Sequence, residues 1–239
     1  LLCTFPLSVY WAGRRLGFEP RPAALAGVVS SLLATNGLLG FDMGSYVWRG
    51  SGLFTQLWGM WLLPPALAGM YRTVRDGKSY AGTAALVAAT LLSHTVLGYI
   101  ALGSGGLFVF LGGWKPAGRR LLRLLLLFLL VALVTSYFLV PFLRDGLYMN
   151  RSVWEDPAKY ASYGWQGTLS ALLKGELLDF GRFPSLTLLA AIGLVISLWH
   201  WRDERYRFAV VLFGAWLLLY FGRPTWGVLI DLLPLSGDL

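Results

Sequence analysis

The chain has 239 residues, 56% of them hydrophobic and only 13% charged, with a mean hydropathy of +0.62 and a formal charge of +8. Soluble domains carry about 25% charged residues, and a chain this apolar cannot cover its surface in water, so lipid is the expected solvent. The positive charge sits in short clusters between apolar runs, with no basic stripe and interleaved aromatics, which argues against nucleic acid as a partner. Cys3 is the sole cysteine, leaving neither a disulfide framework nor a cysteine-based metal site.

These features predict an all-α, polytopic transmembrane helix bundle with about eight membrane segments. Residues 1–239 read as a single transmembrane domain, truncated at both ends. A partial first span ends at Gly13 and is followed by RRLGFEPRP. The second runs over about 23–41 and opens onto DMGSYVWRGSG. The third, about 53–71, carries Pro64 and Pro65 at mid-depth, where a kink is expected. After RTVRDGKS comes 80–113, too long for one helix and short for two. Basic loops at both of its ends require an even number of crossings, which splits it at Ser93-His94 into helices over about 79–93 and 95–113. At ~1.5 Å per residue the first is ~22 Å long, short of the ~30 Å hydrocarbon core. The alternative is one long tilted helix with a re-entrant segment. KPAGRRLLR, a Leu-rich span over about 121–142, a long polar segment 143–183, a span over 184–200, WRDERYR and a span over 208–222 complete the chain.

Thirteen of the twenty Lys and Arg residues fall in the four loops RRLGFEPRP, RTVRDGKS, KPAGRRLLR and WRDERYR, which places those loops on the cytoplasmic side. Segment 143–183 is then extracytoplasmic. Within it Leu169, Leu172, Leu173, Leu177 and Phe180 share one helical face over 168–180, as in an amphipathic helix lying on the outer leaflet or a lid packed on the bundle.

DGKS ends like a phosphate-binding loop, but Arg72 stands where that motif needs its first glycine. GSGG at 103–106 reads as small residues that let helices approach. Asn150-Arg151-Ser152 is a glycosylation triplet on the outer side. Asp42, at the outer end of the second span, is a solvated loop residue, a salt-bridge partner of Arg49, or a cavity-mouth carboxylate acting as general base or divalent-cation ligand. His94 lies in apolar LLSHTVLGY, where an ionisable residue is costly; it either donates to a phosphate or sugar oxygen or caps the helix turn. Arg151, Trp154, Glu155 and Asp156 combine basic, aromatic and acidic groups suited to carbohydrate or lipid-phosphate recognition.

SVYWAGRRLGFEPRPAALAGVVSSLLA, RGSGLFTQLWGMWLLPPALA, LLSHTVLGYIAL and IDLLPLSGDL together resemble bacterial multi-spanning proteins of the 6-pyruvoyl-tetrahydropterin-synthase-related membrane domain class. These in turn are similar to GT-C glycosyltransferases. The resemblance implies a GT-C-like bundle in the cytoplasmic membrane, a polyprenyl-phosphate sugar donor, a glycan or lipid acceptor, and transfer at the extracytoplasmic face, with or without a divalent cation. On it, Asp42 would be base or metal ligand, Arg49 and His94 would bind phosphate, and the 143–183 loop would bind acceptor. The alternative is a non-catalytic lipid or polysaccharide transporter or envelope assembly factor.

Overall fold

The computed structural model describes residues 1–33, 54–145 and 162–232. Among these, every regular element is helical: α1 (Phe5–Leu16), α2 (Pro20–Ser30), α3 (Phe54–Asp76), α4 (Tyr80–Ser93), α5 (Thr95–Phe110), α6 (Trp114–Arg144), α7 (Gly164–Leu173), α8 (Glu176–Asp179), α9 (Ser185–Trp199), α10 (Glu204–Tyr220) and α11 (Arg223–Trp226). A 3-10 turn over Gly227–Leu232 follows.

Contacts between side chains fix the direction of the longer helices. At one end the basic segments meet. Arg205 Nη1 donates to Gly17 O at 2.7 Å, Arg120 pairs with Glu204, and Arg123 donates to the carbonyls of Val74 and Arg75. The four loops grouped by charge therefore gather on one face, the basic end. At the far end Trp61 Nε1 donates to Thr4 Oγ1, Arg182 donates to Leu32 O, and Ser162 donates to Tyr220 O. Helices α1 to α6, α9 and α10 run alternately between these ends.

The main core lies in the half nearer the basic end, where Tyr71, Phe108 and Phe208 meet at centroid distances of 5.0–5.9 Å. A small separate cluster of Leu57, Met60 and Leu97 occupies the far half. Helix α6 buries Ala117, Arg120, Leu124, Leu127, Val131 and Thr135, one residue every three or four, as a single helical face demands. Its other face bares Leu122, Leu125, Leu129 and Leu133.

Several predicted boundaries change. Lys115 to Arg123, expected as a loop, forms the first turns of α6; Pro116 is tolerated within a first turn, and Arg and Leu are strong helix formers. Arg72 and Arg75 likewise belong to α3, which runs unbroken through Pro64 and Pro65. Pro65 has no N–H for the carbonyl of Trp61, and Ser8 Oγ on α1 donates to that carbonyl instead, at 2.6 Å. The amphipathic helix expected over 168–180 is divided at Lys174-Gly175, with Gly175 in the left-handed region at φ 78°. Thr168 and Asp179 point inward, and Leu173 and Phe180 outward.

Helix lengths support fewer spans than the eight predicted. Among the described residues α6, of 31 residues, is the one helix long and apolar enough to cross a membrane. Helix α10 and Arg223–Ile230 pass that test together, bent by 79° at the break. Helices α4, α5 and α9 are apolar but have 14, 16 and 15 residues.

Candidate functional site

The break expected at Ser93-His94 is present at that position: α4 ends at Ser93, α5 starts at Thr95, and His94 is extended at φ −155°, ψ 114°. The backbone of His94 serves both helices, its N–H donating to Thr90 O and its carbonyl accepting from Gly98 N, each at 2.9 Å. The turn is tight because Gly98 lacks a side chain; a Cβ there would lie 2.5 Å from Leu91 Cα.

With the backbone so occupied, the imidazole has no capping duty, and no side-chain cap hydrogen bond forms. The ring is half-buried, and its Nδ1 is buried without a hydrogen bond among the described residues. Gly59 of α3 makes room for it: a Cβ on Gly59 would approach His94 Cβ to 2.9 Å. Below lies the far-end cluster of Leu57, Met60 and Leu97. A buried ring nitrogen without a partner, beside a helix break and over apolar side chains, can accept from or donate to a polar ligand atom.

Of the predicted site residues, His94 alone is placed. Asp42, Arg49, Arg151, Trp154, Glu155 and Asp156 lie outside the described residues, and so does the cation site at Asp42. Among the described residues no cluster of three or more His, Cys, Asp or Glu could hold a metal ion.

Two carboxylates organise the molecule without having been singled out in the sequence. Asp179, fully buried, accepts from the backbone N–H groups of Leu186 and Thr187 at 2.9 and 2.8 Å and from the Thr187 hydroxyl at 2.8 Å, which caps α9 from a distance. Burial pushes its carboxyl up, but these donors and nearby Arg182 outweigh burial and hold it below the ordinary carboxylate range. Glu204 grips Arg120 at the basic end. Its neighbour Asp203 is held low by hydrogen bonds from the Arg205 guanidinium, against the opposing effect of burial. The available signal for Glu204 and Asp203 was two acids placed inside the otherwise basic WRDERYR.

No protein-family model, curated protein or solved structure matches this chain.

Proposed function

We propose that the chain is a polytopic, GT-C-like membrane protein that transfers sugar from a polyprenyl-phosphate donor to a glycan or lipid acceptor, at the end opposite the basic loops. The observation that carries the reading is the unpartnered Nδ1 of His94 at the α4–α5 break. Buried polar atoms are nearly always paired, and a lipid-linked phosphate would bring an oxygen to that depth.

Placement in lipid draws support from α9, whose sequence SLTLLAAIGLVISLW has no charged residue and buries only Leu186. In water that exposure would be a severe liability; in a bilayer it is the lipid face. Trp114 and Trp199, 84% and 85% exposed, stand where an indole belt would lie at the basic end. The four basic segments on one face agree with a cytoplasmic side there, and the site opposite is then extracytoplasmic.

The test is full-length protein in vesicles with polyprenyl-phosphate sugars, following release of polyprenyl phosphate. Transfer should be abolished by Asp42→Asn and reduced roughly a hundredfold by His94→Gln, the lower range for a lost acid–base or hydrogen-bonding group. A wild-type protein inert towards all donors, or an unimpaired His94→Gln, would overturn the assignment. The 79° bend after α10 favours a second reading, a lipid or polysaccharide transporter, since such proteins use interrupted helices. That reading expects the same vesicles to move the lipid across the bilayer with its sugar–phosphate bond intact.

A further inference from the structure

Helices α1 and α10 are joined at the basic end by the Arg205–Gly17 hydrogen bond and by Tyr206, which meets Phe18 edge-on at 5.8 Å. Below that joint they part, leaving a groove of about 350 Å³ floored by α3 and flanked by α2. Every side chain lining it is apolar, among them Ala12, Leu16, Ala26, Leu67, Phe208 and Leu212. Arginines adjoin its lining residues. Arg14 Nη1 donates to the carbonyl of Phe18, itself a lining residue, at 3.0 Å, and Arg21 precedes the lining Pro22. The two segments beside the groove, 14–21 and 202–207, hold six arginines against Glu19, Asp203 and Glu204, of which Glu204 is held by Arg120 and Asp203 by Arg205.

This combination selects its occupant. A peptide strand or loop would leave backbone N–H and C=O groups unpaired against a wholly apolar lining, at a cost of kilocalories each. A hydrocarbon chain loses nothing there, and a headgroup at the mouth meets a surplus of positive charge. We propose that the groove holds one acyl chain of an anionic membrane phospholipid, with the phosphate against Arg14. The site rests on the membrane reading above, but lies at the end opposite His94 and is separate from the transfer site.

The experiment is native mass spectrometry of the full-length protein released from detergent, loaded with phosphatidylglycerol or phosphatidylcholine of identical chains. Wild type should retain phosphatidylglycerol preferentially. Arg14→Gln should lower that retention roughly fivefold, the order one basic residue contributes at an anionic surface. Ala26→Trp, on an exposed lining position, should fill the groove and remove retention of both lipids while circular dichroism stays unchanged. Equal retention of the two lipids by wild type overturns the site, as does Arg14→Gln or Ala26→Trp binding like wild type. A protein that stays monodisperse without detergent or lipid overturns the membrane reading itself, so the two failures are distinct.

Discussion

The guanidinium of Arg120 and the carboxylate of Glu204 meet in a two-pronged pair at 2.7 and 3.0 Å, joining α6 to α10 across 84 residues of sequence. Arg120 also donates to Phe108 O at 3.3 Å, and its side chain is only 7% exposed. Gly112 permits this, since a Cβ there would come within 2.6 Å of the guanidinium. Glu204→Ala should therefore leave a buried, uncompensated cation and lower unfolding stability by about 3–5 kcal/mol. The double change Arg120→Met with Glu204→Leu should restore most of that loss, because an apolar pair of similar volume replaces a buried ion pair at little cost. Denaturant titration of the two variants measures both effects, and equal stability of Glu204→Ala and wild type would contradict the burial of the pair.

Asp179 gives the far end a pH dependence. Its carboxyl is held below the ordinary range of about 4 in the folded protein. Its contribution is therefore fully present above the unfolded value and is lost as pH falls through the depressed folded one. Thermal midpoints should hold steady above about pH 5 and decline below it, more shallowly in Asp179→Asn. At neutral pH Asp179→Ala should cost about 1–2 kcal/mol, as loss of a helix cap does.

Small residues in GSGG differ in purpose. A Cβ on Gly105 would lie 2.6 Å from Met70 Sδ and 2.9 Å from Leu124 Cδ1, whereas nothing stands within 4 Å of one on Gly106. Gly105→Ala should destabilise by about 1–3 kcal/mol through overpacking. Gly106→Ala should be neutral or gain up to about 1 kcal/mol from helix propensity. A matched pair of melting curves separates them.

Sidedness is testable with single cysteines in a Cys3→Ser background, because Cys3 is exposed. Gly118 on α6 has open space around it, and Lys174 is exposed between α7 and α8. In intact cells a membrane-impermeant thiol reagent should label Lys174→Cys and spare Gly118→Cys. The reverse pattern would invert the proposed orientation and, with it, the proposed extracytoplasmic position of His94.

Some local features are legible in the sequence, and distant pairings are not. The Ser93-His94 break was legible because two short apolar runs met at a polar pair between basic loops of equal sign. The grouping of the basic loops followed from charge alone. The single amphipathic helix over 168–180 failed because apolar spacing continues across Gly175 while the backbone does not. Arg120–Glu204 and Ser8–Trp61 leave no local trace, since each partner's neighbours say nothing about residues 84 or 53 positions away. Close packing at Gly105 but not Gly106 depended on which neighbour faced each one.

The clasp at the basic end also carries a temporal consequence. Arg120 and Gly17 each wait for a partner, Glu204 and Arg205, that a ribosome makes 84 and 188 residues later. Until α10 is synthesised, Arg120 lacks the carboxylate that pairs with it in the folded chain, and the α1–α2 turn is held only by its own bonds, such as that from Arg14 to Phe18 O. Helices α1 to α6 can pair locally as they emerge, with Arg123 joining α6 to the end of α3, but the ties to Arg120 and Gly17 form only when WRDERYR arrives. A nascent chain halted before Glu204 would therefore lack the ties that α10 makes to Arg120 and Gly17.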